Sequence, residues 1–302
     1  MRSHHHDRRG QAGLTLVELL VALAVFLVVL TLASGGIIQA LRVSRHNDEV
    51  ASLQALARRA TQVIAEEMRS LSFGTIADEP FPSGTSRVSF FLPEGPAWPV
   101  YPHDSGNNSS FVQAANVQIA ASVARAEDLQ LAGGHALMRN GQGDAIALDV
   151  QNIARRGGPT SRTWNLVHPG CPNTIDYTQG TTILQAVDAI GYRYDADTRT
   201  VYRTTSSGED ALAFGVEAFT LQYVYASEEG DVEVRSEPHR DGDGASLRRV
   251  VIDGVAYVLD ALRVEIRVSG ETPFGPTSRG YALQVALPQQ GPQTALRIVG
   301  CG

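Results

Sequence analysis

Gly13-Leu14-Thr15-Leu16-Val17-Glu18, followed by Leu19-Leu20-Val21-Ala22-Leu23-Ala24-Val25-Phe26-Leu27-Val28-Val29-Leu30, is the stretch from which the rest of the chain is read. It is an uncharged apolar run with a single carboxylate at its rim. An ionised Glu costs roughly 2.5 to 3.5 kcal/mol at bilayer depth and less near the interface, so a chain that keeps one there supplies it with a partner. No Arg lies within a helical turn of Glu18, and the expected partner comes from elsewhere. A cut after Gly13 would create one, because the new amino group on Leu14 would lie four residues back on the same helix face.

Residues 14–38 are apolar apart from Thr15, Glu18, Thr31 and Ser34. About 20 helical residues, at about 1.5 Å each, cross a hydrocarbon core of about 30 Å, so this segment is expected to span a membrane once. The leader before it, residues 1–13, carries Arg2, Arg8 and Arg9 against Asp7. Positive charge ahead of a first apolar helix keeps that end in the cytoplasm and sends the rest of the chain outward. Gly35-Gly36 follow the span. Each glycine costs roughly 1 kcal/mol relative to Ala in a helix, which predicts a weak point as the helix leaves the membrane; close helix packing is the competing reason for the pair.

Over residues 39–74 the helix is expected to continue as an amphipathic half. Val50, Leu53, Ala57, Ala60, Ile64, Met68 and Leu71 recur three or four apart as one apolar stripe, with Arg42, Arg45, Asp48, Glu49, Arg58, Arg59, Glu66, Glu67 and Arg69 on the other faces. Gly74, Pro80 and Pro82 are the expected stop. The stripe needs a cover, and residues 75–302 read as a β-rich head that supplies it. Candidate strands are Arg87–Leu92, Ala145–Val150, a hairpin of Ile190–Tyr194 and Thr200–Thr204 about an Asp/Thr turn, Val216–Tyr225, Val232–Val234, Leu262–Val268 and Tyr281–Leu287. Period-2 alternation in the last two predicts one face packed inward and one facing water. Pro93 to Asn108 reads as loop, and residues of about 94–170 read as an elaboration on the head. The fold class is therefore α+β, a long N-terminal helix packed on an antiparallel sheet.

The signal region resembles that of type IV prepilins and type II secretion pseudopilins: a short basic leader, Gly, an apolar residue, Thr-Leu, one residue, then Glu and a hydrophobic helix. The resemblance implies that a prepilin peptidase cuts after Gly13, that Leu14 becomes the N-methylated mature end, and that Glu18 meets the N-terminal amine of a neighbouring subunit. Leu14 departs from Phe, the commonest residue at that position. The stretch Ala57 to Arg69 and the closing strands are similar to PilW-type minor pilins and J-type pseudopilins, although an amphipathic Ala/Arg/Glu helix is a less specific signal. The resemblance further implies a pilin-like fold and loosening at the Gly35-Gly36 depth inside a filament. It implies single-pass residence in the inner membrane with an exported head, then a place in a periplasmic or extracellular filament. The partners implied are other minor and major pilins or pseudopilins, the inner-membrane assembly platform and, before assembly, membrane lipid. Nucleic acid enters only by way of a DNA-uptake pilus.

The 302 residues carry a formal net charge of −7, which argues against a dedicated nucleic-acid binder, and 43% hydrophobic residues, enough for a sizeable core. Every basic side chain other than His is Arg, which removes Schiff-base and Walker A lysine chemistry. His4, His5 and His6 sit in the leader, and His103, His135, His168 and His239 share no ligand spacing. Asp241-Gly242-Asp243-Gly244 starts like a calcium loop, but Ala245 takes the next ligand position and Ile252 stands where the bidentate Glu belongs. No cofactor, metal or catalytic residue is assigned. Cys171 and Cys301, the two cysteines, are expected to pair in an exported head. Three functions compete: a minor pilin or pseudopilin that helps initiate a filament near its tip, a membrane-anchored extracytoplasmic binding protein with no filament role, and a secreted enzyme.

Overall fold

From Leu16 to Arg69 the sequence contains no proline and is dominated by Leu, Ala, Val, Arg and Glu, and it forms one helix of 54 residues, α1 (Leu16–Arg69). The computed structural model describes residues 15–71, 76–101, 116–129, 131, 134–143, 145–168, 181–287 and 298–299. They divide into two compact units, one of residues up to Ala51 with Glu271–Thr277, the other of Ser52–Gly270 with residues from Ser278 on. The helix runs unbroken through Gly35 and Gly36. Both flanks propagate the helix across the pair. At its far end the Ser70 N–H bonds the carbonyls of Glu66 and Glu67; Gly74, the expected stop, lies outside the described residues.

Among the described residues the head is built on fifteen strands. They are β1 (Arg87–Tyr101), β2 (Asn116–Ala120), β3 (His135–Arg139), β4 (Ala145–Asp149), β5 (Asn152–Arg156), β6 (Thr163–Val167), β7 (Ile183–Asp195) and β8 (Thr200–Thr205). The rest are β9 (Gly208–Ala213), β10 (Val216–Ser227), β11 (Val232–Arg235), β12 (Arg249–Ile252), β13 (Val255–Thr272), β14 (Gly275–Ala286) and β15 (Ile298–Val299). Ten form a sheet in the order β15-β4-β3-β7-β1-β2-β6-β5, extended from β7 by β8 and β9. The other five form a second sheet, β11-β10-β13-β12, with β14 also on β13. Among the described residues the ladders joining β1 to β13 are antiparallel, whereas β15 runs parallel to β4.

The stripe on α1 finds its cover here. Ala57, Ala60, Ile64, Ala65 and Met68 are buried in one core with Val88, Phe90, Ile190 and Tyr192 of the first sheet and Phe219, Leu221, Tyr223, Val264 and Ile266 of the second. Full burial of a large apolar side chain such as Ile64 or Met68 contributes about 1.5 to 3 kcal/mol relative to exposure. A polar clamp sits at the edge of the same core. The Glu67 carboxylate accepts the Tyr192 hydroxyl at 2.6 Å and Arg203 Nε at 3.0 Å, with Arg203 Nη2 at 2.8 Å. Burial, and then the Glu67 hydrogen bond, push the Tyr192 phenol well above its ordinary pKa.

Two expectations for the head need correction. The expected loop from Pro93 continues β1 to Tyr101, paired with β7 from Pro93↔Val187 to Pro99↔Ile183. Its three prolines are tolerated because, among the described residues, no strand takes up the opposite edge of β1 until Val100 meets Ile119 of β2. A register shift between Glu94 and Ala97, with Gly95 at φ +68°, absorbs the Gly-Pro pair. The elaboration is also more built than its sequence suggested. It has a core of its own in Val117, Ile119, Leu129, Met138, Leu148, Trp164 and Leu184, hung on β1 and β7, which continue into the main core. The expected hairpin is present as β7 and β8, Asp195↔Thr200 closing it. The Asp253-Gly254 turn between β12 and β13, with φ +51° and +86°, was not read from the sequence.

Candidate functional site

The site begins at the first helical turn. Thr15 precedes α1, and Glu18 lies in its first turn. The Glu18 Oε2 accepts the Thr15 backbone N–H at 2.9 Å and the Thr15 hydroxyl at 3.0 Å, while the Glu18 N–H reaches Thr15 Oγ1 at 3.3 Å. This is a capping box: Thr-x-x-Glu satisfies donors that a helix start leaves unpaired and sets a carboxylate against the positive end of the helix dipole. It corrects the expectation that the carboxylate has no local partner. A search for a cation overlooked it, although the Thr15-Leu16-Val17-Glu18 spacing carries the signal.

Behind the box, α1 displays apolar side chains on every face. Leu16, Leu19, Phe26, Leu30 and Ile38 are each about half exposed or more, at 76%, 61%, 61%, 49% and 53%. Among the described residues, α1 is long and apolar enough to cross a membrane. A helix apolar all round with no protein cover is suited to lipid or to other helices, not to water. Thr31 returns its hydroxyl to the Val28 carbonyl at 2.8 Å, so its polar group is satisfied within the helix. At Gly35 and Gly36 a Cβ would meet no atom within 4 Å.

The remaining candidate residues are not gathered around any chemistry. Gly13, Leu14, Cys171, Cys301 and the leader histidines lie outside the described residues. Among the described residues, no three His, Cys, Asp or Glu converge as metal ligands. Asp241 spends Oδ1 on the N–H groups of Asp243 at 3.0 Å and Ala245 at 2.7 Å, which shapes the turn. His239 contacts Glu233 at 3.0 Å on β11. Sequence reading missed Asp78, buried and accepting the Ser246 N–H at 3.0 Å and hydroxyl at 2.8 Å. It also missed the Glu67–Tyr192–Arg203 clamp. Both join segments more than a hundred residues apart, which no local pattern encodes.

Residues 8–34 match the family model of the prokaryotic N-terminal methylation motif. A comparison with curated proteins and another with solved structures each gave no match. The motif implies cleavage by prepilin peptidase and assembly with other pilins, and it points to a pilin-type structural protein. The single N-terminal apolar helix fits a membrane-anchored, single-pass pilin. With a capped, charge-poor N-terminal helix covered at its far end by antiparallel sheets, the chain carries the type IV prepilin-like signal on a pilin-like α+β fold, which supports a type IV pilin- or pseudopilin-like protein.

Proposed function

We propose that this protein is a minor pilin or pseudopilin: a structural subunit that inserts its N-terminal helix into a type IV pilus or type II secretion pseudopilus and helps initiate assembly near the tip. The observation that carries the reading is the Thr15/Glu18 box at the head of an apolar helix, inside the segment that matches the methylation motif. After a cut between Gly13 and Leu14, the Leu14 amine would lie one residue from Thr15 and could compete for the same carboxylate. Within one subunit Glu18 is already satisfied by Thr15. In a filament, where water is scarce, a neighbour's amine adds an opposite charge at low dielectric, and that pairing favours one register. Gly35-Gly36 is the proposed place where the helix loosens once packed. Because Glu18 is present, the subunit sits below a tip-most subunit of the K type, which lacks this Glu, or within the shaft.

The test is a Glu18→Ala variant in cells whose native copy is deleted. Processing to Leu14, read by N-terminal mass spectrometry, and membrane insertion should persist, while recovery in the sheared filament or tip-complex fraction should fall. An unprocessed Met1 in cells with active peptidase would turn the reading toward a membrane-anchored binding protein. Wild-type assembly of the variant would remove the carboxylate from the mechanism.

A further inference from the structure

The charge-free part of α1 runs from Leu19 to Leu41, and the first cation after it is Arg42. At about 1.5 Å per residue that stretch measures about 35 Å, slightly more than the roughly 30 Å of bilayer hydrocarbon. Arg42 and Arg45 therefore stand at headgroup level when α1 spans. His46 lies about 6 Å further along the axis from Arg42. Phe274, at the turn between β13 and β14, sits edge-on against it with ring centroids 5.2 Å apart and planes at 77°.

Phe274 is held outward by an ordered turn. Thr272 Oγ1 accepts the Phe274 N–H at 3.3 Å and donates to the Gly275 carbonyl at 2.7 Å. Gly275 adopts φ +109°, a conformation open to glycine at little steric cost. The ring remains 54% exposed, and on α1 near the His46 level Leu41 and Val43 are 55% and 42% exposed. We propose that the Thr272–Gly275 turn is a second membrane contact, placing Phe274 in the interfacial layer of the phospholipid bilayer that α1 spans.

The order of charge along the helix suits lipid. Arg42 and Arg45 come first, facing headgroup phosphates, whereas Asp48 and Glu49 lie further out and line an open cleft with Arg45, Glu271, Thr272 and Pro273. One exposed ring at the turn is also better matched to lipid than to a protein partner. A specific protein interface needs about 800 Å² from each partner, whereas one ring entering the headgroup boundary by about 5 to 10 Å serves as an interfacial anchor. The consequence is that the β13–β14 hairpin and α1 share two points of attachment to one membrane, which limits rotation of the helix before assembly.

This inference rests on the membrane-anchored reading of α1, and the experiment separates the two. Phe274→Trp and, independently, Val28→Trp are introduced into the full chain and reconstituted in phosphatidylethanolamine/phosphatidylglycerol vesicles with bromine on the upper acyl chain. Emission is read against the unsubstituted chain with its two native tryptophans. Both added signals should lose most of their intensity to bromolipid, and the Phe274→Trp signal should resist aqueous iodide. Quenching at Val28→Trp, with Phe274→Trp untouched by bromolipid and open to iodide, overturns the second contact alone. Protection of Phe274→Trp from both quenchers only at high protein-to-lipid ratio assigns the turn to a protein neighbour and overturns it as well. No quenching at Val28→Trp overturns the anchored reading together with this one.

Discussion

Glu67 is the residue through which the helix and the first sheet are tied by polar chemistry, and Glu67→Ala tests how much that tie contributes. The change leaves the Tyr192 hydroxyl, whose residue is 0% exposed, without its acceptor at 2.6 Å. An unsatisfied buried hydroxyl costs about 1 to 3 kcal/mol. It also strips Arg203 of its counter-ion; with side chains 27% and 21% exposed, that pair is discounted by solvent to about 1 kcal/mol. The total is about 3 kcal/mol, and for a head of this size each kcal/mol moves the melting temperature by about 2 to 4 °C. Thermal melts of the full chain in detergent should therefore drop by about 6 to 12 °C. Glu67→Gln, which keeps an acceptor but not the charge, should fall between. Tyr192→Phe retains the ring beside Phe90 and removes only the hydroxyl, so the Glu67→Ala/Tyr192→Phe double variant should be less destabilised than the sum of the two, by about 1 kcal/mol. Additive losses, or a Glu67→Ala melt within about 1 °C of the native chain, would refute the clamp as an energetic element.

Cys171 and Cys301 should form a disulfide in exported protein. Closing a loop of this length stabilises by about 4 to 5 kcal/mol in the chain-entropy model, so reductant should lower the melting temperature, and alkylation of both thiols without reductant contradicts the pairing. Gly13→Val should block processing and leave the leader on, as read by mass. The head should lose stability in acid. The Arg193 guanidinium beside Glu209, the His239 and Arg235 groups beside Glu233, and the Thr198 N–H on Asp195 hold these carboxyls below their ordinary values. They take up protons more readily unfolded, so their contribution is complete above a pH of about 4 to 5 and is lost as pH falls through the lower folded values. Melts should be flat in this contribution above about pH 5 and fall toward pH 3, less steeply in Glu209→Gln; a Glu209→Gln profile identical to the native one refutes the assignment. Gly35→Ala/Gly36→Ala should stiffen the helix by about 1 kcal/mol per site and lower filament incorporation without altering processing, if loosening on packing is needed.

What the sequence determined by itself is local. A charge-free run long enough to span, the Thr15-x-x-Glu18 spacing that caps it, and the three- and four-residue stripe from Leu53 to Met68 each follow from neighbours within a few residues, and all three are realised in α1. The β7–β8 hairpin was legible for the same reason, since its alternation and its turn lie in one short segment. The tertiary structure decided what depends on distant partners. Pro93 to Tyr101 is a strand because β7 pairs along one edge while, among the described residues, the other stays largely free of a ladder that proline could not join. The second core beneath the elaboration exists because Leu184 on β7 meets Val117, Met138 and Trp164, whose strands are too short to announce themselves. The Glu67 clamp required Tyr192 and Arg203, and the setting of Phe274 required His46. A carboxylate on an exposed helix face or a Phe in a turn reads the same in sequence whatever stands opposite it, and only the closed chain supplies the opposite side.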